Sequence, residues 1–311
     1  MNKTDKILIT GASGLVGHAL STHLKREGYK DVTGVGSADC DLTDRAATLA
    51  YFAKQKPDYV FHLAGHVFGI MGNMLNQGDG YLLNLLINTH VIEACRLIGV
   101  KKITAMGTGA MYPYPMPSNP LREDTIWMGE PHGSERGYAH AKRSMLAQLD
   151  VYRESYKMPY ALVVSCNLYG PHDRFNIETG HVVPSLVRKF YEASQSGQNI
   201  SVWGDGSAQR DFLYVDDVAR ALELIMQNAD GPINLGSHAI HSIREAVDIL
   251  AAHTKQQDKI VWDASKPNGQ PFRAYDLSKL DRLGYRAAYT LERGLKETYD
   301  WYANNHQAAR R

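Results

Sequence analysis

Tyr138 and Lys142 stand four residues apart in GYAHAKRSMLAQLDVY, a stretch that reads as a helix. That spacing stacks the two side chains on one face, a turn apart. A free tyrosine titrates near pH ~10, too high for efficient proton exchange near neutrality. A neighbouring ammonium stabilises the phenolate and is expected to draw that value down towards the working range. Thr108, just past a β-branched run, offers a hydroxyl that can hold a substrate oxygen beside the phenol. Together they could pass a proton to or from a carbonyl oxygen. The Tyr-x-x-x-Lys spacing recurs by chance on many helices, so it gains meaning only from the elements around it.

Those elements alternate. Lys6 to Thr10 (KILIT) reads as a buried strand, followed by a helix from about Gly14 to Glu27. Asp31 to Val35 and Asp58 to His62 read as strands. A helix runs through Leu82 to Ile98, and Lys101 to Met106 gives another strand ending at Thr108. Ser134 to Tyr156 is the helix that carries Tyr138 and Lys142, and Tyr160 to Ser165 is the strand after it. Strands separated by helices of this length predict parallel βαβ units, hence an α/β fold with a Rossmann-type doubly wound parallel sheet. From Asn167 to Gly180 the chain is rich in Gly, Pro and Asn, and a helix follows over about Val182 to Ser196. We expect a dinucleotide-binding domain made of residues 1–166 with 210–228. A smaller C-terminal substrate-binding domain would comprise residues 167–209 with 229–311.

The first turn of this pattern carries a second signal. Thr10-Gly11-Ala12-Ser13-Gly14-Leu15-Val16-Gly17 closes the first strand and opens the first helix. Gly11, Gly14 and Gly17 permit a tight turn, close approach of backbone to a diphosphate, and close helix–strand packing. Ser13, Leu15 and Val16 lie where the helix start offers N–H donors to phosphate. A lone glycine pattern is weak; its place after the first strand of a βαβ chain strengthens it. With this loop in front of it, Lys142 acquires a second use, as a hold on the nicotinamide ribose. The second strand ends in Gly34-Val35-Gly36-Ser37-Ala38-Asp39-Cys40-Asp41. No acid stands directly at the strand end to take a free ribose hydroxyl, and the small Ser37 leaves room for a 2′-phosphate. That favours NADP(H). No arginine stands there either, so NAD(H) stays open. Asp41 and Leu42 fall beside the adenine, or serve only as the approach to a helix N-cap at Thr43-Asp44.

The remaining composition narrows the partners. A formal net charge of +1, with no run of Lys or Arg, gives no support to a nucleic-acid or anionic-membrane partner. Cys40, Cys95 and Cys166 are too few and scattered for a disulfide framework or a zinc site. His62, His66, His132 and His172 fall in plausible site loops, yet no pair has metal spacing with a third ligand, so no metal is expected. We read them as loop or packing residues, with His132 a lesser candidate for the substrate pocket. Asp216-Asp217 opens a helix and suits its dipole. No apolar run approaches the ~18 residues of a membrane helix, and the start of the chain has no signal-peptide pattern. A soluble, cytoplasmic protein is the expectation.

Longer stretches are more specific. ITGASGLVGHAL, ADCDLTD, GYAHAKR, NLYGPHDRFNIETGHVVPSL, VWGDGSAQRDFLYVDD and KPNGQPFRAYDLSKL together cover much of the chain. With them the sequence resembles the extended short-chain dehydrogenase/reductase family, and within it the GDP-L-fucose synthases, which are GDP-4-keto-6-deoxymannose epimerase/reductases. The resemblance implies NADPH, a GDP-linked 4-keto-6-deoxy sugar, hydride delivery to carbon 4, and a homodimer. It implies a catalytic hydroxyl at Thr108 with the catalytic Tyr and Lys at Tyr138 and Lys142. Leu63 and Ala64 would line the cofactor, and Asn167 and Leu168 would meet cofactor and sugar. Val182, Arg188, Trp203, Arg210 and Arg273 would surround the GDP-sugar. Plainer readings exist for three of these: Arg188 on a solvated helix face, Trp203 as packing, Arg210 as a brace for Asp216 or Asp217.

One position departs from the family. Its epimerases invert the carbons flanking the ketone with a Cys and a His; the His is present as His181. The Cys belongs in a Ser-(Ser/Thr)-Cys-hydrophobe-(Tyr/Phe)-Pro motif, and this chain reads Thr108-Gly109-Ala110-Met111-Tyr112-Pro113. Alanine has no acid–base chemistry. The expected activity is therefore reduction of the ketone of a GDP-linked 6-deoxy hexose or heptose without epimerisation. Two alternatives stay open: a GDP-sugar 4-dehydrogenase running the same site in reverse, and a full epimerase/reductase with a rearranged base, for which Cys166 is a remote surrogate.

Overall fold

The computed structural model describes residues 1–67, 69–266 and 271–310. The first half builds one sheet. Its elements are β1 (Lys6–Thr10), α1 (Leu15–Arg26), β2 (Asp31–Val35), α2 (Arg45–Gln55), β3 (Tyr59–His62), α3 (Ile70–Leu75), α4 (Gln77–Ile98), β4 (Lys102–Met106), α5 (Arg136–Tyr156) and β5 (Tyr160–Ser165). Then come β6 (Asn167–Tyr169), α6 (Val182–Ser196), β7 (Ile200–Trp203), β8 (Gln209–Tyr214), α7 (Val215–Asn228) and β9 (Gly231–Leu235). The chain closes with β10 (Ile240–Ser242), α8 (Ile243–Thr254), β11 (Ile260–Asp263), α9 (Ser278–Arg282) and α10 (Leu291–Asn305).

Six parallel strands lie in the order β2-β1-β3-β4-β5-β9. From β1 the chain turns one way to β2 and the other way to β3. The crevice at their carboxyl ends is the topological switch point, where ligands of such sheets bind. The strands are short apolar runs such as Ile7, Leu8 and Ile9, all essentially inaccessible, as a sheet covered on both faces requires. A second core gathers Tyr169, Phe175, Val187, Phe190, Leu250, Leu295 and Tyr302 around α6, α8 and α10. Over it lie the sheets β10-β8-β6 and β11-β7.

Two strands fall on the other side of the expected boundaries. β9 bonds along β5 as the sixth strand, so residues 231–235 belong to the main sheet and not with the substrate domain that begins at 229. β8 pairs with β6 and β10, so residues 210–214 are not in the sheet of the dinucleotide domain. The physical reason is the same for both. Each is a short strand whose partner is distant in sequence, so local pattern says nothing about which sheet it joins. Leu277, Leu280 and Tyr285 also pack into the first core.

Asp217 is the joint between the two bodies. It is fully buried in the first turn of α7, takes the N–H groups of Ala288 and Tyr289 at 2.9 Å each, and pairs with Arg220. Asp216 accepts from the Tyr289 hydroxyl at 3.2 Å. Neither brace involves Arg210. Replacing Asp217 by Ala strands two partly buried N–H donors and a guanidinium, and should cost about 2 kcal/mol. A several-degree fall in melting temperature is the expected readout; an unchanged melting temperature would remove Asp217 from this role.

Candidate active site

The dinucleotide loop is shaped by steric necessity. Gly11 has φ +71°, and a Cβ there would stand 2.8 Å from the Ala64 nitrogen. A Cβ on Gly17 would collide with the Gly11 carbonyl. The Thr10 hydroxyl ties the two sides of the crevice: the N–H groups of Leu63 and Ala64 both donate to it at 3.2 Å. His62 holds that hydroxyl at 2.8 Å and reaches Asn88 at 3.0 Å on its other nitrogen. Complete burial, with Lys142 nearby, depresses the imidazole to about 3, so it stays neutral. His62 is thus a strut beneath the site. α1 starts at Gly14 with no side-chain cap and no acid in its first turn, so its N–H donors face an anion unopposed. These residues fit a dinucleotide diphosphate.

The turn after β2 differs from the reading of the sequence. An acid does return to the strand end: Asp39 Oδ2 accepts from Gly36 N at 2.8 Å. The signal was an Asx-type turn, in which a side chain three residues on folds back to cap a backbone N–H. Ser37 is exposed beside it. Asp41 takes the N–H and the hydroxyl of Thr43, at 2.9 and 2.7 Å, at the approach to α2, where Asp44 is the N-cap. Leu42 is buried.

Tyr138, Lys142 and Thr108 converge where β4 ends. Lys142 is 3% exposed, and its Nζ donates to the Met106 carbonyl at 2.9 Å. Burial lowers its pKa to about 8. The Tyr138 ring centre lies 5.9 Å from that Nζ, and Ala110, Tyr138 and Ala139 form a small buried cluster. The expected depression of the phenol does not occur here. Burial, and then the charge of Glu135, push the Tyr138 phenol up, because desolvation of a phenolate outweighs what the ammonium 5.9 Å from its ring supplies. Thr108 accepts from Ala110 N at 3.3 Å, which turns its hydroxyl at the head of the Gly109–Met111 turn.

Together these features decide the family: a model described as the NAD dependent epimerase/dehydratase family matches residues 7–236. The chain belongs to this family. Like other members of this extended short-chain dehydrogenase/reductase group it is an NAD(P)-dependent oxidoreductase. A probable GDP-L-fucose synthase 1 of Oryza sativa is 36% identical over 98% of this chain and 94% of its own. A GDP-L-fucose synthetase structure from Naegleria fowleri, bound to NADP, superposes with a TM-score of 0.92 at 32% identity, covering 100% of this chain and 98% of that one. A GDP-6-OMe-4-keto-L-xylo-heptose reductase structure from Campylobacter jejuni gives 0.91 at 27% identity, over 98% and 99%.

Around this family core the other candidates sort by their partners. Arg273 and Arg210 lie close enough to repel each other: burial and Arg273 bring Arg210 down to about 10. Arg273 keeps its charge against burial through Tyr275 and Glu135, the latter 3.9 Å away. Asn167 and Leu168 begin β6, partly exposed. His181 is the exposed N-cap position of α6 and Val182 its first residue. Arg188 is held to Glu192 at 2.7 Å and to the Phe175 carbonyl at 3.1 Å, so much of its fork is engaged. Trp203 is 37% exposed, with Lys189 and Lys266 ammoniums 5.5 and 5.7 Å from its ring centre. His132 bonds Ser134 and meets Tyr114 edge-on. His172 stacks on His18.

Two neighbours, Glu135 and Tyr275, escaped the sequence reading. Glu135 precedes Tyr138 by one helical turn, a spacing that could have flagged it. Tyr275 and Arg273 crowd Gly109: a Cβ there would collide with the Tyr275 hydroxyl and come within 3.0 Å of Arg273 Nη1. The glycine between Thr108 and Ala110 was the one available sign that another side chain enters.

Burial of Lys142 yields a stability prediction. Its pKa falls from 10.5 to about 8 on folding, so in the folded protein the charge is penalised. That penalty is full below about pH 8, shrinks between 8 and 10.5, and is gone above. Lys142→Met removes about 3 kcal/mol of charge burial and loses about 1 kcal/mol of hydrogen bond. The cofactor-free variant should therefore melt higher than the parent at pH 7, with the gain fading above pH 8, and should have lost turnover. A lower melting point at pH 7 would contradict this account.

Proposed function

We propose that this enzyme reduces the carbon-4 ketone of a GDP-linked 4-keto-6-deoxy hexose or heptose with NADPH and does not epimerise it. One observation carries the reading. Ala110 is 3% exposed, packed against Tyr138 and next but one to Thr108, at the position that would hold a carbon acid's base. A methyl group there removes no proton. Cys166 offers no substitute: burial and then Asp211 raise its thiol well above the usual range. The NADP-bound neighbour and the heptose reductase among the similar structures support the cofactor and the reaction class. Asp39 is engaged by the N–H of its own turn, and Ser37 is exposed and small enough to leave room for a 2′-phosphate.

Bound at the loop, NADPH supplies the hydride. Thr108 and Tyr138 hold the ketone oxygen, and Tyr138 gives it a proton as negative charge develops. A phenol kept protonated by burial and Glu135 suits donation. Lys142, anchored on Met106, is placed to hold the ribose and to restore the phenol's proton. Arg210 and Arg273, two cations pressed together, suit a diphosphate with charge-assisted bonds, and Trp203 presents a ring face for a base.

Incubating the protein with NADPH and GDP-4-keto-6-deoxymannose in heavy water tests this. The expected product is reduced at carbon 4 and carries no deuterium at carbons 3 and 5. Enzyme-dependent deuterium at either carbon would overturn the reductase-only reading. Tyr138→Phe should lower kcat by roughly 10²- to 10⁴-fold with little change in NADPH affinity.

A further inference from the structure

A dinucleotide with a 2′-phosphate carries several negative charges, yet apart from Lys142, placed for the ribose, the segments expected to meet it hold no cation. None of residues 11–17, 36–42, 63 and 64 is basic. A cation arrives instead from the far end of the chain. Arg310 Nη1 lies 3.6 Å from where a Cβ on Gly14 would stand. Gly14 is the middle glycine of the loop, the one whose missing side chain lets backbone approach a diphosphate. The guanidinium therefore stands at the face of the loop that an anion would approach, beside uncapped N–H donors of α1.

The tail that carries it is anchored. Past α10, the N–H groups of Ala308 and Ala309 both donate to the Asn305 carbonyl, at 3.0 and 2.9 Å. The Arg310 carbonyl accepts from Phe175 N at 2.8 Å. Trp301 of α10 packs on His172 with ring centres 4.6 Å apart, and His172 stacks on His18 of α1 at 3.6 Å. This aromatic column bolts the last helix to the first turn of the dinucleotide helix, so the two ends of the chain meet at the loop. Arg310 itself is exposed, and its stem is free to adjust. Asp173, buried and with Oδ2 lacking a hydrogen bond, lies within the field of both Arg310 and His181. It supplies a negative charge behind the guanidinium without capturing it.

We propose that Arg310 is a cofactor-binding residue whose guanidinium pairs with the diphosphate of the bound dinucleotide. The proposal rests on the dinucleotide use argued above. Charge-assisted, forked bonds to phosphate oxygens are what arginine makes best, and here the fork comes from the substrate-side body, so cofactor binding would also draw the tail onto the loop.

The test uses the full-length enzyme and its Arg310→Gln variant, with NADPH and adenosine 2′-monophosphate as probes; the second keeps the 2′-phosphate and lacks both phosphates of the diphosphate. The NADPH Kd should rise roughly tenfold and become less sensitive to salt. The monophosphate Kd and the melting temperature without ligand should stay as in the parent. An unchanged NADPH Kd overturns the proposal. Equal weakening of both probes also overturns it, placing Arg310 at the 2′-phosphate or in the fold. If the parent enzyme prefers NADH, the NADP(H) reading fails alone, and the same comparison run with NADH and adenosine decides Arg310.

Discussion

The site is organised by a lysine whose charge is buried at a cost. Lys142 reaches the end of β4 from the middle of α5, and the Met106 carbonyl is the acceptor that makes its burial tolerable. A lysine in that place constrains its neighbours. His62 is kept neutral beside it by complete burial and the lysine's charge, and its two ring nitrogens bond Thr10 and Asn88. Thr10 in turn fixes Leu63 and Ala64, which press against Gly11. The dinucleotide crevice and the proton-transfer end are thus one hydrogen-bonded assembly across β1, β3 and β4. A charge buried at this cost is retained where function needs it.

Much of this was legible because it is local. β1, β5 and α6 lie where apolar runs and helical periodicity put them. α6 spans Val182–Ser196 and stops at Gly197, which takes the left-handed conformation that glycine accepts readily. α4 begins earlier than its apolar pattern, at Gln77, because Gly78 and Gly80 look like breakers in sequence while tertiary packing holds them helical. The sheet membership of β8 and β9 was not legible, since pairing partners far apart in sequence leave no local trace. The direction of the Tyr138 shift was misread for a related reason: the one-turn spacing to Lys142 was visible, but the depth of burial and the approach of Glu135 were not.

The same limit hid Tyr275. Its phenol enters beside Thr108 only because Gly109 has no side chain, so small residues at 109 and 110 are matched by a large one from a distant loop. Burial pushes that phenol up to about 12, against the pull of Arg273, so at neutral pH it stays protonated and takes no proton. Space that a reactive side chain at 110 could have used is bordered instead by a methyl group and a protonated phenol. The shape and the chemistry of this corner therefore agree.

Good folds bury apolar groups and leave cations in water, and the exceptions here cluster. Lys142 is buried and Arg210 and Arg273 are half-buried, and the two guanidiniums also repel each other, with Glu135 and Tyr275 acting against that repulsion. Burial disfavours the charge of Lys142 and Arg210, while Arg273 keeps its own. Each also stands at a position that residue chemistry or family resemblance had marked for a reactant. An anion bridging Arg210 and Arg273 would relieve their mutual repulsion and take charge-assisted bonds from both forks, so the crowding of these two cations and the binding of a diphosphate are one electrostatic problem with one solution.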